Sequence, residues 1–359
     1  MPRARTVHRC TGCGAVAAKW VGQCAVCGEW GSLVEEPADD RPSTRMPAGT
    51  AVPLAMVDTT VSERRPTGVP ELDRVLGGGL VEGSVTLLGG EPGIGKSTLL
   101  LQVLAAVAVS GPCLLVSAEE SATQVRLRAE RLGPLPGELL VLAETTLPSI
   151  IAAIEASHPA VCVVDSIQAV ADPDLGSGAG SVTQVRECAQ ALTRVAKERG
   201  PAVILVGHVT KDGGLAGPRT LEHIVDTVLS FEGDRYHALR MLRAVKHRFG
   251  TTGELGLFEM TDHGMEGVDD PGGLFVGDRS RDAPGSAVLM TVEGRRPLLV
   301  EVQALVGRAS STPRRAAQGV DAGRVAQLIA VLERHAGVGL ASADVFVSAA
   351  GGVRLAEPA

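Results

Sequence analysis

Short apolar runs, each four or so residues long and bounded by turn-forming residues, recur through the middle of the chain. The clearest is Val85-Thr86-Leu87-Leu88, which reads as a buried strand, and Thr98 to Val109 after it reads as a helix. Leu114-Leu115-Val116, Val161-Cys162-Val163-Val164 and Val203-Ile204-Leu205-Val206 repeat the strand signal. Strands alternating with helix-length segments predict a doubly wound parallel sheet. Between Leu239 and Phe249 apolar and polar residues alternate, which predicts a strand with two unlike faces. From Glu35 to about Arg65 the sequence is rich in Pro, Ala, Asp and Arg without any period, which reads as a flexible linker. The chain thus divides into an N-terminal unit over 1–34, a linker over 35–65, an α/β core over 66–270 and a C-terminal unit over 271–359.

Composition sharpens this picture only a little. With 359 residues, 45% of them hydrophobic, the chain can fill ordinary cores, but aromatics are 2%, so Ala, Val, Leu and Gly do the packing. The formal charge of −7 argues against a uniformly basic coat and leaves room for a local basic channel. No segment reaches the ~18 uninterrupted apolar residues of a membrane span. Met1-Pro2-Arg3-Ala4-Arg5 is basic, yet no apolar segment follows it as in a secretory signal. A cytoplasmic protein with no membrane partner is the expectation.

The chemistry starts where the first strand ends. Gly90-Glu91-Pro92-Gly93-Ile94-Gly95-Lys96-Ser97 fits G-x-x-x-x-G-K-[ST], and Thr98 opens the following helix. Glycines let the backbone curl so that its N–H groups point at phosphates, and the helix N-terminus adds its dipole. Lys96 is then the residue that bridges the β- and γ-phosphates, and Ser97 the hydroxyl that holds Mg²⁺. Three other strands end in polar residues: Glu119 and Glu120 follow one, Asp165 ends another and His208 the third. Ligands of such sheets bind beyond the carboxyl ends of the strands, so Glu119, Asp165 and His208 are expected in one crevice. Asp165 fits the acid that organises Mg²⁺, and Glu119, with Glu120 in reserve, the base that activates water. His208 is either a γ-phosphate sensor or a structural histidine.

Cys10-Thr11-Gly12-Cys13 and Cys24-Ala25-Val26-Cys27 are two C-x-x-C pairs ten residues apart. Each presents two thiolates from a tight knuckle, and together they suit a closed, structural Zn²⁺ site. A rubredoxin-type iron centre or a redox pair is the alternative. Arg3, Arg5, Arg9 and Lys19 give this unit a positive face, with Trp20 and Trp30 beside it for packing or stacking. Two glycine-rich loops, Asp172–Ser181 and Lys211–Arg219, read as mobile; they are either surface loops or segments that track a phosphate backbone.

The order of Cys₄ knuckle, phosphate loop, Ser-Ala-Glu-Glu-Ser at 117–121, Val-Asp-Ser-Ile-Gln at 164–168 and Gly207-His208-Val209-Thr210-Lys211-Asp212-Gly213 resembles the bacterial RadA (Sms) family. The resemblance runs from about residue 7 to the end. It implies an α/β fold: a RecA-like P-loop ATPase core with an N-terminal Cys₄ zinc knuckle and a partial C-terminal Lon-protease-like α+β domain. It also implies a DNA-dependent ATPase of recombinational repair, using ATP, Mg²⁺ and Zn²⁺. Such a protein binds single-stranded DNA and branched intermediates, promotes branch migration in a helicase-like manner and assembles as a homohexamer. A RecA-type recombinase is an allowed partner. Carried across, Lys96 and Ser97 form the Walker-A pair, Asp165 is the Walker-B acid and Glu119 the water-activating position.

The family's K-N-R-F-G motif is Lys246-His247-Arg248-Phe249-Gly250 here, with His in place of Asn. By resemblance, Lys246 and Arg248 reach a neighbour's nucleotide or the DNA; the plainer reading of Arg240, Arg243, Lys246 and Arg248 is a solvated basic face. Pro297–Val306 and Ala343–Ser348 resemble strands of the Lon-like domain. No lysine follows Lys246, so a Ser–Lys protease dyad has no base there. The family's domain continues beyond the segment matched by Gly351–Leu355, so a shortened domain is expected. KaiC-like ATPases that signal or scaffold without moving DNA share the P-loop and carboxylate strands; the Cys₄ knuckle and the Lys-His-Arg-Phe-Gly motif favour the DNA motor.

Overall fold

A computed structural model of the chain describes residues 6–37, 53, 64–208, 220–233, 239–268, 284–309, 312–349 and 355. Short strands β1 (Thr6–Cys10), β2 (Val16–Ala17) and β3 (Leu33–Pro37) form a separate antiparallel sheet in the order β2-β1-β3. The core begins with β4 (Arg64–Arg65), α1 (Pro70–Val75) and β5 (Leu80–Val81). It continues through β6 (Val85–Gly90), α2 (Lys96–Val107), β7 (Cys113–Ser117), α3 (Ala122–Glu130), β8 (Leu139–Ala143), α4 (Leu147–Ser157) and β9 (Val161–Asp165). Then come α5 (Val182–Arg199), β10 (Ala202–His208), α6 (Thr220–Ile224), β11 (Thr227–Gly233), β12 (Leu239–His247), β13 (Leu255–Thr261) and β14 (Gly264–Gly267).

The main sheet has nine strands in the order β14-β13-β12-β11-β6-β10-β9-β7-β8. Strands β8 to β11 in that order run parallel, whereas β12, β13 and β14 are antiparallel additions. The core strands are parallel as expected, and three antiparallel strands extend the sheet beyond β11. The apolar runs exist because both faces are covered. In β9, Val161 and Val163 enter the core beneath α1, α2 and α3, while Cys162 and Val164 enter the core beneath α4, α5 and α6. In β10, Ile204 and Val206 split from Val203 and Leu205 in the same way.

The C-terminal unit comprises β15 (Ser286–Glu293), β16 (Arg296–Arg308), β17 (Arg315–Gln318), α7 (Ala322–Ala336) and β18 (Ala343–Ala349), with sheet order β15-β16-β18-β17. Asp321 caps α7 by accepting the Arg324 N–H at 2.7 Å. Leu298 and Val300 of β16 pack with Leu255 and Leu257 of β13, so this unit shares a core with the main sheet.

Three expectations change. The linker is shorter than 35–65 at both ends, because Glu35 pairs with His8 within β3 and Arg64–Arg65 pairs with β5. The Asp172–Ser181 loop is pinned: buried Gln184 of α5 accepts the Asp172 N–H and donates to the carbonyls of Asp172 and Ser177. Helix α2 starts at Lys96, two residues before the expected Thr98, directly on the phosphate loop. The Lys211–Arg219 loop and Gly351–Arg354 lie outside the described residues.

Candidate nucleotide site and metal knuckle

Register brings the polar strand ends together. Gly90 ends β6 opposite His208 of β10, and Asp165 of β9 stands opposite Ser117 of β7. The residues just past these ends, with the Pro92–Thr98 loop, line a crevice of about 330 Å³. Gly95 caps α2 in the left-handed region at φ 111°, and a Cβ there would stand 2.5 Å from Met265 Cε and 2.6 Å from Met260 Cε. Only glycine fits that turn under the β13–β14 hairpin.

Inside the crevice the Lys96 ammonium is buried and donates to the carbonyls of Gly90 at 2.8 Å and Glu91 at 2.9 Å. Burial lowers its pKa, against the pull of Asp165 and Glu119. The Ser97 hydroxyl donates to Asp165 Oδ2 at 2.5 Å. Burial raises the Asp165 carboxyl and the Glu119 charge adds to it, while the Ser97 hydrogen bond and Lys96 oppose the rise. Two hard oxygen donors side by side, one of them a carboxylate, fit Mg²⁺.

Glu119 accepts hydrogen bonds from the Ser166 hydroxyl and from His208 Nε2, the latter at 3.2 Å. Burial alone would raise its carboxyl; those hydrogen bonds outweigh burial and hold it below its ordinary value. Glu120 also lines the crevice, but it is engaged by Arg128 of α3 in an ion pair at 2.5 Å. Of the two carboxylates, Glu119 is therefore the one grouped with Lys96, Asp165 and His208. His208 keeps its Nδ1 buried without a hydrogen-bond partner among the described residues. Ser166, Arg128 and Met260 also line or support the crevice. Ser166 stood in the Val-Asp-Ser-Ile-Gln motif without an assigned role, and neither Arg128 nor Met260 carried any sequence signal.

Lys246 and Arg248 are not brought to this crevice. Lys246 donates to the carbonyls of Glu222 at 2.6 Å and Val225 at 2.8 Å, and Arg248 pairs with Asp226 at 2.9 Å. Buried Asp226 also accepts Lys197 at 2.6 Å and the Val85 N–H at 3.0 Å. Val85 begins β6 and Gly90 ends it, so the two cations sit at the far end of the strand, roughly 17 Å from the phosphate loop by strand rise. Strand β12 stops at His247, and its register with β11 shifts between Val228 and Leu229, which breaks the alternation expected as far as Phe249. Arg240 is no solvated cation: it is buried, and its Nε donates to the Ile94 carbonyl at 3.1 Å.

The two C-x-x-C segments fold as copies of one knuckle. The Gly14 N–H donates to the Cys10 carbonyl and the Gly28 N–H to the Cys24 carbonyl, both at 2.9 Å, with φ of 74° and 76° at the two glycines. Cys10 N–H and Cys24 N–H close the same outer bond to Ala15 and Glu29. The four Sγ atoms lie within 4.8 Å of one another, with Cys10–Cys27 and Cys13–Cys24 at 3.5 Å. Tetrahedral zinc thiolates, with Zn–S near 2.3 Å, need about 3.8 Å between sulfurs, so the set fits such an ion with no ligand position left open. Within the coupled set, burial works to raise the Cys10 thiol but its hydrogen bonds bring it down, whereas burial pushes the Cys13 thiol up. Trp20 and Trp30 are exposed, and Arg3 and Arg5 lie outside the described residues.

Known proteins resemble this chain in two segments and along its length. A family model described as AAA domain matches residues 50–214, and one described as Rubredoxin metal binding domain matches residues 8–35. DNA repair protein RadA of Pseudomonas aeruginosa is 50% identical over 366 residues, covering 100% of this chain and 81% of that protein. The chain belongs to the RadA family. DNA repair protein RadA of Bacillus subtilis is 47% identical over 369 residues, covering 100% of this chain and 81% of the relative. For that of Mycobacterium tuberculosis the values are 48% over 367 residues, 100% and 76%. A crystal structure of a KaiC-like protein from Pyrococcus horikoshii overlaps 58% of this chain and 99% of its own at 22% identity, with a TM-score of 0.48. The fold is a P-loop α/β core, preceded by a four-cysteine ribbon and followed by a mostly sheet C-terminal region. Among the described residues no helix is long and apolar enough to cross a membrane.

Proposed function

We propose that this RadA-family chain is a DNA-dependent ATPase of recombinational repair. It binds single-stranded DNA, works as a homohexamer and promotes branch migration of recombination intermediates, with a RecA-type recombinase as a fitting partner. The observation that carries the ATPase reading is the convergence of Lys96, Ser97, Glu119, Asp165 and His208 on one crevice at the carboxyl edge of the sheet. Lys96 neutralises phosphate charge, and Ser97 with Asp165 holds Mg²⁺, which would supply further neutralisation of the leaving group. Glu119, ionised at neutral pH, takes the proton of the attacking water. His208 Nε2 holds that carboxylate in place, and its hydrogen bond is what a γ-phosphate would compete for. The cysteine ribbon carries a structural zinc ion. Lys246 and Arg248, remote from their own crevice, serve a neighbouring subunit's nucleotide or the bound strand.

The test is steady-state ATP turnover by the full chain with and without a single-stranded oligonucleotide. Stimulation by the oligonucleotide is expected. Equal turnover, together with no retention of DNA at low salt in any nucleotide state, overturns the DNA-motor reading.

A further inference from the structure

The phosphates, the metal and the attacking water account for most of the crevice lining. The rest of the wall is Ser117, the Glu120–Arg128 pair and Met260 of β13. Among the described residues no Phe, Tyr or Trp lines the crevice.

Arg128 and Met260 are both held in place by their surroundings. Glu120 fixes the Arg128 guanidinium through the 2.5 Å ion pair, and both groups stay partly exposed at the crevice. Met260 is carried on the β13–β14 hairpin, which is fastened to α2 by a two-point contact. The Met265 N–H donates to Gln102 Oε1 at 2.9 Å, and Gln102 Nε2 donates to the Met265 carbonyl at 3.1 Å. Met260 and Met265 are register partners, and their methyls meet over Gly95. At the hairpin's turn, a Cβ on Gly264 would come within 2.9 Å of Leu132 Cδ2, so the hairpin also abuts the end of α3 one turn beyond Arg128. The hairpin and α3 therefore close the crevice together beside the first turn of α2.

A triphosphate on this loop has its γ end at Lys96, Asp165 and Glu119, and its α-phosphate passes the N-terminus of α2. Arg128 and Met260 line the same crevice outside the Lys96, Asp165 and Glu119 group. A planar guanidinium and a polarisable thioether are both good partners for an aromatic face. We infer that Arg128 and Met260 bracket the purine base of the bound nucleotide, the guanidinium on one face and the thioether against the other. The assignment rests on the nucleotide reading above and adds to it the residues that recognise the base.

The experiment compares binding of ATP and of inorganic tripolyphosphate, each with Mg²⁺, to the full chain by calorimetry. The variants are Met260→Ala, Arg128→Gln and Lys96→Ala; Met260 and Arg128 are only half-buried. Met260→Ala and Arg128→Gln should each weaken ATP about tenfold, the scale of one lost stacking partner, while tripolyphosphate binds as to the parent. Lys96→Ala should weaken both ligands. Unchanged ATP affinity in Met260→Ala and Arg128→Gln, or a parallel loss for both ligands, overturns the assignment and makes these residues supports of the loop. If Lys96→Ala binds both ligands normally, the nucleotide reading itself falls and the base assignment falls with it.

Discussion

His247 shows how one residue can settle into a place the family motif gives to asparagine. Its Nε2 lies 3.1 Å from the Leu76 carbonyl, which can only accept, so that nitrogen carries the proton. Nδ1, 3.0 Å from Thr227 Oγ1, then accepts the hydroxyl. The neutral ring satisfies both contacts, a job an amide side chain also does with its N–H and its carbonyl. Burial lowers the His247 pKa, and the nearby Arg64 charge lowers it further, although the Leu76 carbonyl pulls the other way. The folded ring therefore binds a proton less readily than the unfolded one. Its contribution to stability is complete above the ordinary histidine value of about 6.5 and is lost as pH falls through the lower folded value. For His247→Asn, the drop in melting temperature between about pH 7.5 and about pH 5.5 should be smaller than in the parent, since no group titrates at that position. An identical drop in the two proteins contradicts this account of the ring.

At the scale of elements, the legible parts of the chain were those whose pattern is local. Strands β6, β7, β9 and β10 could be read because burial on both faces forces unbroken apolar runs, and the polar residues that end them fell into one crevice by register alone. Contacts supplied from distant sequence could not be read. Gln184 pins a loop whose glycines suggest mobility, Asp226 collects two cations 29 residues upstream and 22 residues downstream, and Met260 reaches the phosphate loop from a hairpin far along the chain. Arg296 is the extreme case. In sequence it is half of an Arg-Arg pair in a turn, yet it is buried, paired with buried Glu71 of α1, and donates to the carbonyls of Leu255 and Val268 at the root of the β13–β14 hairpin. Removing one partner of a buried pair strands the other charge, so Arg296→Ala should cost about 3–5 kcal/mol in urea unfolding. The double variant Glu71→Gln/Arg296→Met removes both charges and should cost clearly less than the two single changes added together. Full additivity contradicts a direct Glu71–Arg296 coupling.

The whole molecule joins a metal-shaped ribbon, a two-faced P-loop core and a C-terminal sheet that is locked to the core through Arg296 and the Leu298–Leu257 contact. Its crevice groups and its Lys246–Arg248 pair lie at opposite ends of one strand. Every step of that account depends on chemistry at one carboxylate. The most direct measurement is therefore phosphate release at saturating ATP, with single-stranded DNA present, by the parent, Glu119→Gln and Glu120→Gln, alongside ATP binding by each. Loss of the general base predicts a fall of about 10²–10⁴-fold in turnover for Glu119→Gln with ATP still bound, and a far smaller change for Glu120→Gln. Undiminished turnover by Glu119→Gln would contradict the account.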